Sequence, residues 1–257
     1  MGQIACVTSI KGGVGKTVLA AGLTAAFVKM GFRVLAVDLD LGAGGLDIAL
    51  GKTDTVGFTL PDLLHGQAKA DSLVPSPDGV TFIPAPVSFG EDPFQGVEQE
   101  DFDRALSDLK ERFDMVILDL PAGGGAAFPY LEKSGLVDRF LLVTTSAPTS
   151  VRAAERCAMR LREPEKAKLV LNAYRLSDPG DNSFPLTEII RLSGVSIIGA
   201  VPYDREADRA LLSGVPLTAW KKSRGGKAIS NIALRLTGEE VPLFSGVLKG
   251  KKRLRFY

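Results

Sequence analysis

The sequence predicts an α/β fold in which a doubly wound, mostly parallel sheet of seven or eight strands carries helices on both faces. Short β-branched runs alternate with longer helical patterns along the 257 residues, and the short runs are almost continuously apolar. Continuous apolar runs are typical of parallel strands that helices cover on both sides. Such sheets bind their ligands beyond the carboxyl ends of the strands, so we expect the functional site there.

The predicted elements follow one another without a break in composition. The strands fall at residues 3–8, 33–38, 80–84, 115–120, 139–144, 168–172 and 196–201. The helices fall at residues 17–30, 99–113, 151–162, 185–192, 205–212 and 226–236. We therefore expect one domain over residues 1–243, followed by a basic tail at residues 244–257.

Composition and charge limit the class of protein. The net charge of +1 argues against a wholly basic nucleic-acid binder, and 45% apolar residues suffice for a sizeable core. Cys6 and Cys157 are far apart in sequence, so we expect both to be reduced core residues. The single histidine, His65, is expected to end a helix. With no signal peptide and no apolar run that could span a bilayer, a cytoplasmic protein is expected.

A glycine-rich loop, Lys-Gly-Gly-Val-Gly-Lys-Thr at residues 11–17, lies between the first strand and the first helix. Such loops turn backbone N–H groups toward a phosphate, and the first helical turn adds the positive end of its dipole. Lys16 can reach the outer phosphates, and the Thr17 hydroxyl can bind the Mg²⁺ that accompanies ATP. The predicted ATP-binding residues of this segment are Gly12, Gly13, Val14, Gly15, Lys16, Thr17 and Val18.

The loop departs from the standard phosphate-binding pattern at its start. That pattern has glycine at the position of Ile10, and here a second lysine, Lys11, follows. In this respect the loop resembles the deviant Walker A loop of the MinD/ParA family of ATPases, most closely its MinD-like members. The resemblance covers residues 1–243 and implies a P-loop NTPase fold. It also implies a homodimer bridged by ATP, in which Lys11 reaches the partner's nucleotide.

Aspartates end two of the predicted strands. Asp38 and Asp40 would point to opposite faces if the second strand persisted, so their roles should differ. Asp119 ends an apolar strand, as in a Walker B arrangement that holds a carboxylate near Mg²⁺. By the family resemblance, Asp40 positions the hydrolytic water, Asp38 and Asp119 support the metal, and Asp47 orders switch I. The alternative for Asp40 and Asp47 is a solvated turn.

Two glycine-containing turns resemble the switches of the family. The turn after Asp119 leads into three successive glycines, and a backbone N–H near Gly123 could sense the γ-phosphate. Switch I contains Gly44 and Gly45 where MinD-like proteins usually carry a larger polar pair. That departure leaves the partner-facing side of switch I undetermined.

Two later strand ends match the adenine pocket of the family by position. The Asn172 amide can pair with both donor and acceptor edges of adenine. Pro202 and Asp204 follow the next strand, and their backbone could frame the ring. The alternative at each place is an ordinary strand end.

The tail combines five basic residues with apolar ones, and Phe244, Val247 and Leu248 would share a helical face. A basic amphipathic terminus suits an anionic membrane surface, and MinD-like ATPases use a C-terminal amphipathic helix in this way. We therefore expect peripheral contact with the inner face of the cell membrane. A solvated tail and DNA-surface binding are the alternatives, of which DNA is the less favoured.

Together these features predict a Mg²⁺-dependent ATPase that acts as a nucleotide-switched dimer and has a protein activator. Lys11, Lys16 and Asp40 would be its catalytic residues, with Thr17, Asp38 and Asp119 at the metal. Division-site selection is the first expected output, with flagellar or plasmid positioning behind it. The alternatives are a small-molecule phosphotransferase of the same superfamily and a nucleotide-binding scaffold with little hydrolysis.

Overall fold

The computed structural model describes residues 2–41, 44–54, 57–86, 92–175 and 185–247. Its strands are β1 (Gln3–Ser9), β2 (Val34–Asp38), β3 (Val80–Ile83), β4 (Met115–Ala122), β5 (Arg139–Thr144), β6 (Ala167–Tyr174) and β7 (Ile197–Pro202). These form one seven-stranded sheet in the order β3-β2-β4-β1-β5-β6-β7, and every neighbouring pair is parallel. The predicted α/β class and parallel sheet are thereby confirmed.

Each predicted helix is present, with ends that differ from the expected ones by three residues or fewer. The helices are α1 (Lys16–Lys29), α2 (Leu46–Leu50), α3 (Leu60–Leu64), α4 (Gln99–Arg112), α5 (Phe128–Lys133), α6 (Pro148–Arg160), α7 (Leu186–Ser193), α8 (Glu206–Ser213) and α9 (Arg224–Leu236). The predicted helix ranges do not include α2, α3 and α5, which have five or six residues each, although the end of α3 at His65 was expected. Helices this short depend on packing more than on their own sequence.

The sheet carries a layer of helices on each face. Along β1, Ile4 and Cys6 pack with α3 to α7, whereas Ala5 and Val7 pack with α1, α2, α8 and α9. This burial on both faces explains the continuous apolar runs of the sequence. Cys6 and Cys157 are both buried and free, as expected, and burial raises the pKa of each thiol.

The strand order places the site. β1 lies between β4 and β5, and the chain winds toward one sheet edge before β4 and toward the other edge after it. The crevice of such a sheet lies where the winding reverses, beyond the carboxyl ends of the strands. His65 ends α3, as predicted, and its Nε2 lies 3.2 Å from the Pro93 carbonyl oxygen.

The segment after α9 packs back onto that helix. Asn231 donates from Nδ2 to the Ser245 carbonyl at 2.7 Å, Val247 is buried, and Phe244 packs against the core. Phe244 and Val247 therefore belong to the folded body rather than to the apolar face of a tail. The remaining tail residues, 248–257, lie outside the described residues. Among those that are described, no helix is both long and apolar enough to cross a membrane.

Candidate nucleotide-binding site

β1 leads directly into the glycine-rich loop, and α1 begins at its end with Lys16. Gly13 and Gly15 have φ angles of 71° and 90°, in the left-handed region that a side chain would strain. A Cβ built on Gly13 would meet no atom within 4 Å, so the loop borders open space. A curled loop that borders open space at a helix N-terminus can receive phosphate oxygens on its backbone N–H groups.

The two lysines of the loop lie in different environments. Lys16 is 9% exposed, beside the sheet. Lys11 is exposed, and its Nζ donates to Thr149 Oγ1 in the first turn of α6 at 3.0 Å. An exposed contact of a long side chain contributes about 1 kcal/mol at most. Lys11 is therefore not fixed in the interior of its own subunit and can reach outward.

Asn172 braces the loop from β6. Its Nδ2 donates to the Val14 carbonyl at 2.8 Å, and a Cβ built on Gly15 would lie 2.2 Å from that nitrogen. The pairing with β7 shifts register between Leu171 and Tyr174, where Ala173 has a φ of 53°. A bulge of this kind re-aims a side chain at a strand end. One N–H of Nδ2 is used on Val14, so the amide oxygen and the second N–H remain to meet a base.

Asp38 and Asp119 occupy the same rung of the parallel pair β2 and β4, and they are 2% and 1% exposed. Asp38 accepts the N–H of Asp40 on Oδ1 at 2.9 Å and the N–H of Leu46 on Oδ2 at 3.0 Å. Burial raises the pKa of Asp38 despite these two donors. The Asp38 carboxylate thus holds the backbone of switch I against the carboxyl end of β2.

Asp119 has fewer partners. Burial raises its pKa to about 8, although a hydrogen bond from Thr17 acts in the opposite direction. Its Oδ1 is buried without a hydrogen-bond partner among the described residues. A buried carboxylate oxygen left open beside a hydroxyl and a second aspartate is the donor set that a hard cation such as Mg²⁺ takes.

The residues present therefore fit Mg²⁺, provided that a bound nucleotide supplies part of the coordination shell. The described part of the chain contains no group of three His, Cys, Asp or Glu side chains that could hold a metal unaided. Mg²⁺ commonly keeps one or two carboxylates and completes its shell with water and substrate phosphates. Thr17 and Asp119, supported by Asp38, would hold the ion together with a bound nucleotide.

Switch I begins directly after Asp38, so β2 does not continue to Asp40. β2 ends at Asp38, and the Asp40 carbonyl accepts the N–H of Gly44 at 2.9 Å, so the two side chains are not placed by strand alternation. Asp47 lies in the first turn of α2, where Oδ1 accepts the N–H of Ile48 at 2.7 Å. A Cβ on Gly45 would lie 4.0 Å from Thr17 Cγ2, so this switch passes beside the Thr17 side chain. Residues 42 and 43 lie outside the described residues.

Switch II is tied to the start of the glycine-rich loop. β4 continues to Ala122, and the Gly123 N–H, expected to sense the γ-phosphate, donates here to the Ser9 carbonyl at 2.9 Å. A Cβ on Gly124 would lie 2.6 Å from the Phe128 ring, at a φ of 93°. Only glycine fits this backbone path.

At the end of β7, Pro202 is buried and Asp204 caps two helices. One oxygen of Asp204 accepts from Ser223 Oγ at 2.7 Å and from the Gly225 N–H at 2.8 Å, and the other accepts from the Glu206 N–H at 3.0 Å. Burial acts to raise the pKa of Asp204, but these donors outweigh it and hold the pKa below its usual value. The carboxylate therefore serves α8 and α9, which leaves the backbone of residues 202–204 to frame a base.

Comparison with known proteins gives consistent matches. The model of the CobQ/CobB/MinD/ParA nucleotide binding domain matches residues 5–217. The septum site-determining protein MinD of Bacillus subtilis (strain 168) is 33% identical over 252 residues, which cover 95% of this chain and 92% of that protein. In the MinC:MinD cell division protein complex of Aquifex aeolicus, a chain 26% identical superposes with a TM-score of 0.82, covering 94% and 98% of the two chains. MinD of Pyrococcus horikoshii, complexed with Mg-ADP, is 27% identical with a TM-score of 0.77, covering 92% and 96%.

Proposed function

Because this chain belongs to the CobQ/CobB/MinD/ParA family of nucleotide-binding proteins, we propose that it is a MinD-type ATPase, a dimer switched by ATP that positions the division site. The observation that carries the proposal is the contrast between its two loop lysines. Lys16 is buried at the start of α1, whereas Lys11 is exposed on the outer side of the same loop. One lysine can serve its own nucleotide while the other serves a second subunit.

Each residue of the site has its own role in the proposed hydrolysis of ATP. Lys16 and the loop N–H groups would hold the phosphates, and Thr17 and Asp119 would hold Mg²⁺. When bound, Mg²⁺ neutralises charge that develops on the phosphate oxygens. Asp40 orients a water whose oxygen bonds to the γ-phosphorus as the bond to the bridging oxygen of ADP breaks. Lys11 of the second subunit stabilises charge on the transferred group, as an arginine finger does.

Both switches are placed to respond to this reaction. Gly45 of switch I passes beside Thr17, and Gly123 of switch II is bonded to Ser9 at the root of the loop. A γ-phosphate that drew the Gly123 N–H away from Ser9 would move switch II, and its release would restore the bond. The exposed faces of the two switches would then differ between ATP and ADP, which is how such proteins control their partners.

An exposed apolar patch near the site supports the dimer. The patch consists of Ile48 on α2 together with Leu212 and Val215 at the end of α8, and Leu212 is 87% exposed. The two helices meet where Gly51 touches Gly214, since a Cβ on Gly51 would lie 2.6 Å from the Gly214 carbonyl oxygen. Apolar side chains exposed together suit a face that a second copy covers.

The tail would bring the ATP-bound dimer to an anionic membrane, because a doubled basic segment binds more strongly than a single one. The test is co-sedimentation of the full chain with anionic vesicles and with DNA, in ATP or ADP, beside a version that ends at Val247. We expect vesicle binding that needs ATP and the tail. ATP-dependent binding to DNA but not to vesicles would contradict the membrane role and favour a ParA-type positioning function.

A second test follows the output in cells. Depletion of the protein should misplace division septa, and a variant with Lys16→Ala should fail to restore them. Correctly placed septa with an altered number of flagella would contradict division-site selection and leave the ATPase assignment intact. Stimulation of ATP turnover by a metabolite alone, with no effect of vesicles or proteins, would favour a phosphotransferase instead.

A further inference from the structure

A cleft of about 830 Å³ opens between the second half of α1, the segment 216–221 and one face of α9. It contains none of the nucleotide-site residues. α1 has 14 residues, so at about 1.5 Å per residue its two ends lie about 20 Å apart. The cleft is therefore a separate feature at the far end of the helix that begins at the phosphate loop.

The charges that line the cleft are mainly positive. Lys29, Lys221 and Lys227 line it and are exposed, and none of them makes an ion pair within the described residues. One carboxylate, Asp78, also lines it, but both oxygens of Asp78 already accept from Lys52 Nζ, at 3.0 and 3.1 Å. Three uncompensated lysines around one opening select for an anion.

Apolar side chains also line the cleft. Val28 of α1 and Met30, which follows that helix, line it with Leu234 of α9 and with Trp220, the only tryptophan of the chain. Trp220 donates from Nε1 to the Val215 carbonyl at 3.2 Å, so the polar atom of the ring is already satisfied. The ring therefore adds apolar surface to the cleft. A cleft lined by both apolar side chains and three lysines suits an amphipathic anion and not a free inorganic ion.

Gly246 and Val247, the last residues that the structure describes, lie beside this cleft. Arg224 donates from Nε to the Val247 carbonyl at 2.9 Å, and a Cβ built on Gly246 would lie 3.1 Å from Lys227 Cε. The last described residues thus lie against a lysine that lines the cleft. Five basic residues follow Val247 within the next ten positions of the sequence. The point where the described chain ends consequently lies on the side of the molecule that carries the cleft and its lysines.

We propose that this cleft binds one anionic phospholipid, with the phosphate among Lys29, Lys221 and Lys227 and the start of the acyl chains against Trp220 and Leu234. A bilayer is the source of this ligand that the position next to the basic segment favours. The proposal goes beyond the proposed function, which assigns membrane binding to the tail alone. It gives the body a second contact that recognises the chemistry of the head group and fixes which side of the protein faces the membrane.

The test uses Trp220 as the reporter. The full chain is titrated with dihexanoyl phosphatidylglycerol below its micelle concentration, with dihexanoyl phosphatidylcholine, and with inorganic phosphate. We expect a saturable change in tryptophan emission with phosphatidylglycerol and at least tenfold weaker responses to the other two. Equal responses to both lipids, saturation by phosphate at the same concentration, or no response to phosphatidylglycerol would overturn the proposal. The last result would favour an acidic protein segment as the occupant.

A matched pair of variants locates the site. Lys221→Glu, which reverses one charge that lines the cleft, should weaken phosphatidylglycerol binding at least tenfold. Lys222→Glu changes the charge of the neighbouring exposed lysine, which does not line the cleft, and should leave binding within twofold. Equal losses in both variants would show a general charge effect and overturn the site. Because the lipid is monomeric, failure of the tail to bind vesicles leaves this titration unaffected, so the two proposals can fail separately.

Discussion

Asp38 and Asp119 lie side by side at the carboxyl ends of β2 and β4, both buried, and only Asp38 has its two oxygens supplied with N–H donors. Asp119 keeps one buried oxygen without a partner among the described residues. A buried acid in this state is kept at a cost to stability. We expect that cost to be removed when Mg²⁺ and a nucleotide bind. The effect of Asp119 on the free energy of unfolding should therefore be largest in the nucleotide-free protein.

Replacement of Asp119 by asparagine should stabilise the nucleotide-free protein, increasingly so at higher pH. The pKa of Asp119 is raised from 3.8 to about 8 by burial, so between these values the folded protein holds a proton that the unfolded chain releases. Such a group destabilises the fold more and more as pH rises from about 4 to about 8. At about 1.4 kcal/mol per pH unit, the gain from Asp119→Asn should be roughly 4 kcal/mol larger at pH 8 than at pH 5.

Urea unfolding of both proteins without nucleotide, at the two pH values, measures this difference. Mg²⁺-dependent ATP turnover should be lost in the same variant, since the carboxylate oxygen offered to the metal is gone. A stability gain that is the same at pH 5 and pH 8 would contradict the buried, protonated state of Asp119.

Removal of the Asn172 side chain should weaken phosphate binding as well as base binding. Asn172→Ala deletes the hydrogen bond to the Val14 carbonyl, at a cost of roughly 1 kcal/mol, or about fivefold in Kd. The measurement compares the affinities for ATP and for tripolyphosphate, which has no base. If Asn172 braces the loop, both affinities fall; if it only reads adenine, the affinity for tripolyphosphate is unchanged. Asn172→Asp should lose more, because a carboxylate oxygen would then face the carbonyl oxygen.

A methyl group at Gly51 should loosen the contact between α2 and α8. A Cβ there would lie 2.6 Å from the Gly214 carbonyl oxygen, at a φ of 67°, so both steric overlap and backbone strain oppose it. Gly66→Ala is the matched control, since Gly66 has a φ of 70° and no atom within 4 Å of its Cβ position. We expect a loss of about 1 kcal/mol for Gly66→Ala and roughly 2–4 kcal/mol for Gly51→Ala in the free energy of unfolding. Equal losses would show that the glycine contact is not tight.

The long elements could be predicted because their apolar patterns are strong, but the details at their ends could not. β4 continues through Pro121, although a proline usually ends a strand in a sequence-based prediction. The pairing of β1 with β4 shifts register between Val7 and Ser9, so the missing N–H of Pro121 falls where the ladder is already irregular. Such a shift depends on the neighbouring strand and leaves no pattern in the sequence.

In the site, too, local features could be predicted from the sequence and contacts between distant residues could not. The glycine-rich loop and the strand-end aspartates could be predicted because each depends on a few adjacent residues. The brace between Asn172 and Val14 joins residues 158 positions apart, and the capping of α8 and α9 by Asp204 depends on where α9 begins. The contact of Lys11 with Thr149 likewise depends on the packing of α6 beside the loop. Only the folded chain brings these pairs together.

A control for the Lys11 experiment is a change at Thr149, whose hydroxyl accepts the hydrogen bond of Lys11. Thr149→Val removes the one hydrogen bond that Lys11 Nζ makes within the described part of the chain and leaves the lysine in place. Since that contact is exposed and weak, we expect Thr149→Val to bind ATP and to dimerise as the unaltered protein does. A loss of dimerisation in Thr149→Val would show that α6, and not the lysine alone, determines assembly.

The most direct test of a nucleotide shared between two copies is the mass of Lys11→Ala in solution, measured by light scattering with ATP and with ADP. The unaltered protein should be dimeric in ATP and monomeric in ADP. Lys11→Ala should stay monomeric in both and still bind ATP within a few-fold of the unaltered affinity, because Lys16 and the loop N–H groups are intact. A Lys11→Ala protein that dimerises in ATP as fully as the unaltered protein would contradict the role of Lys11 across the interface.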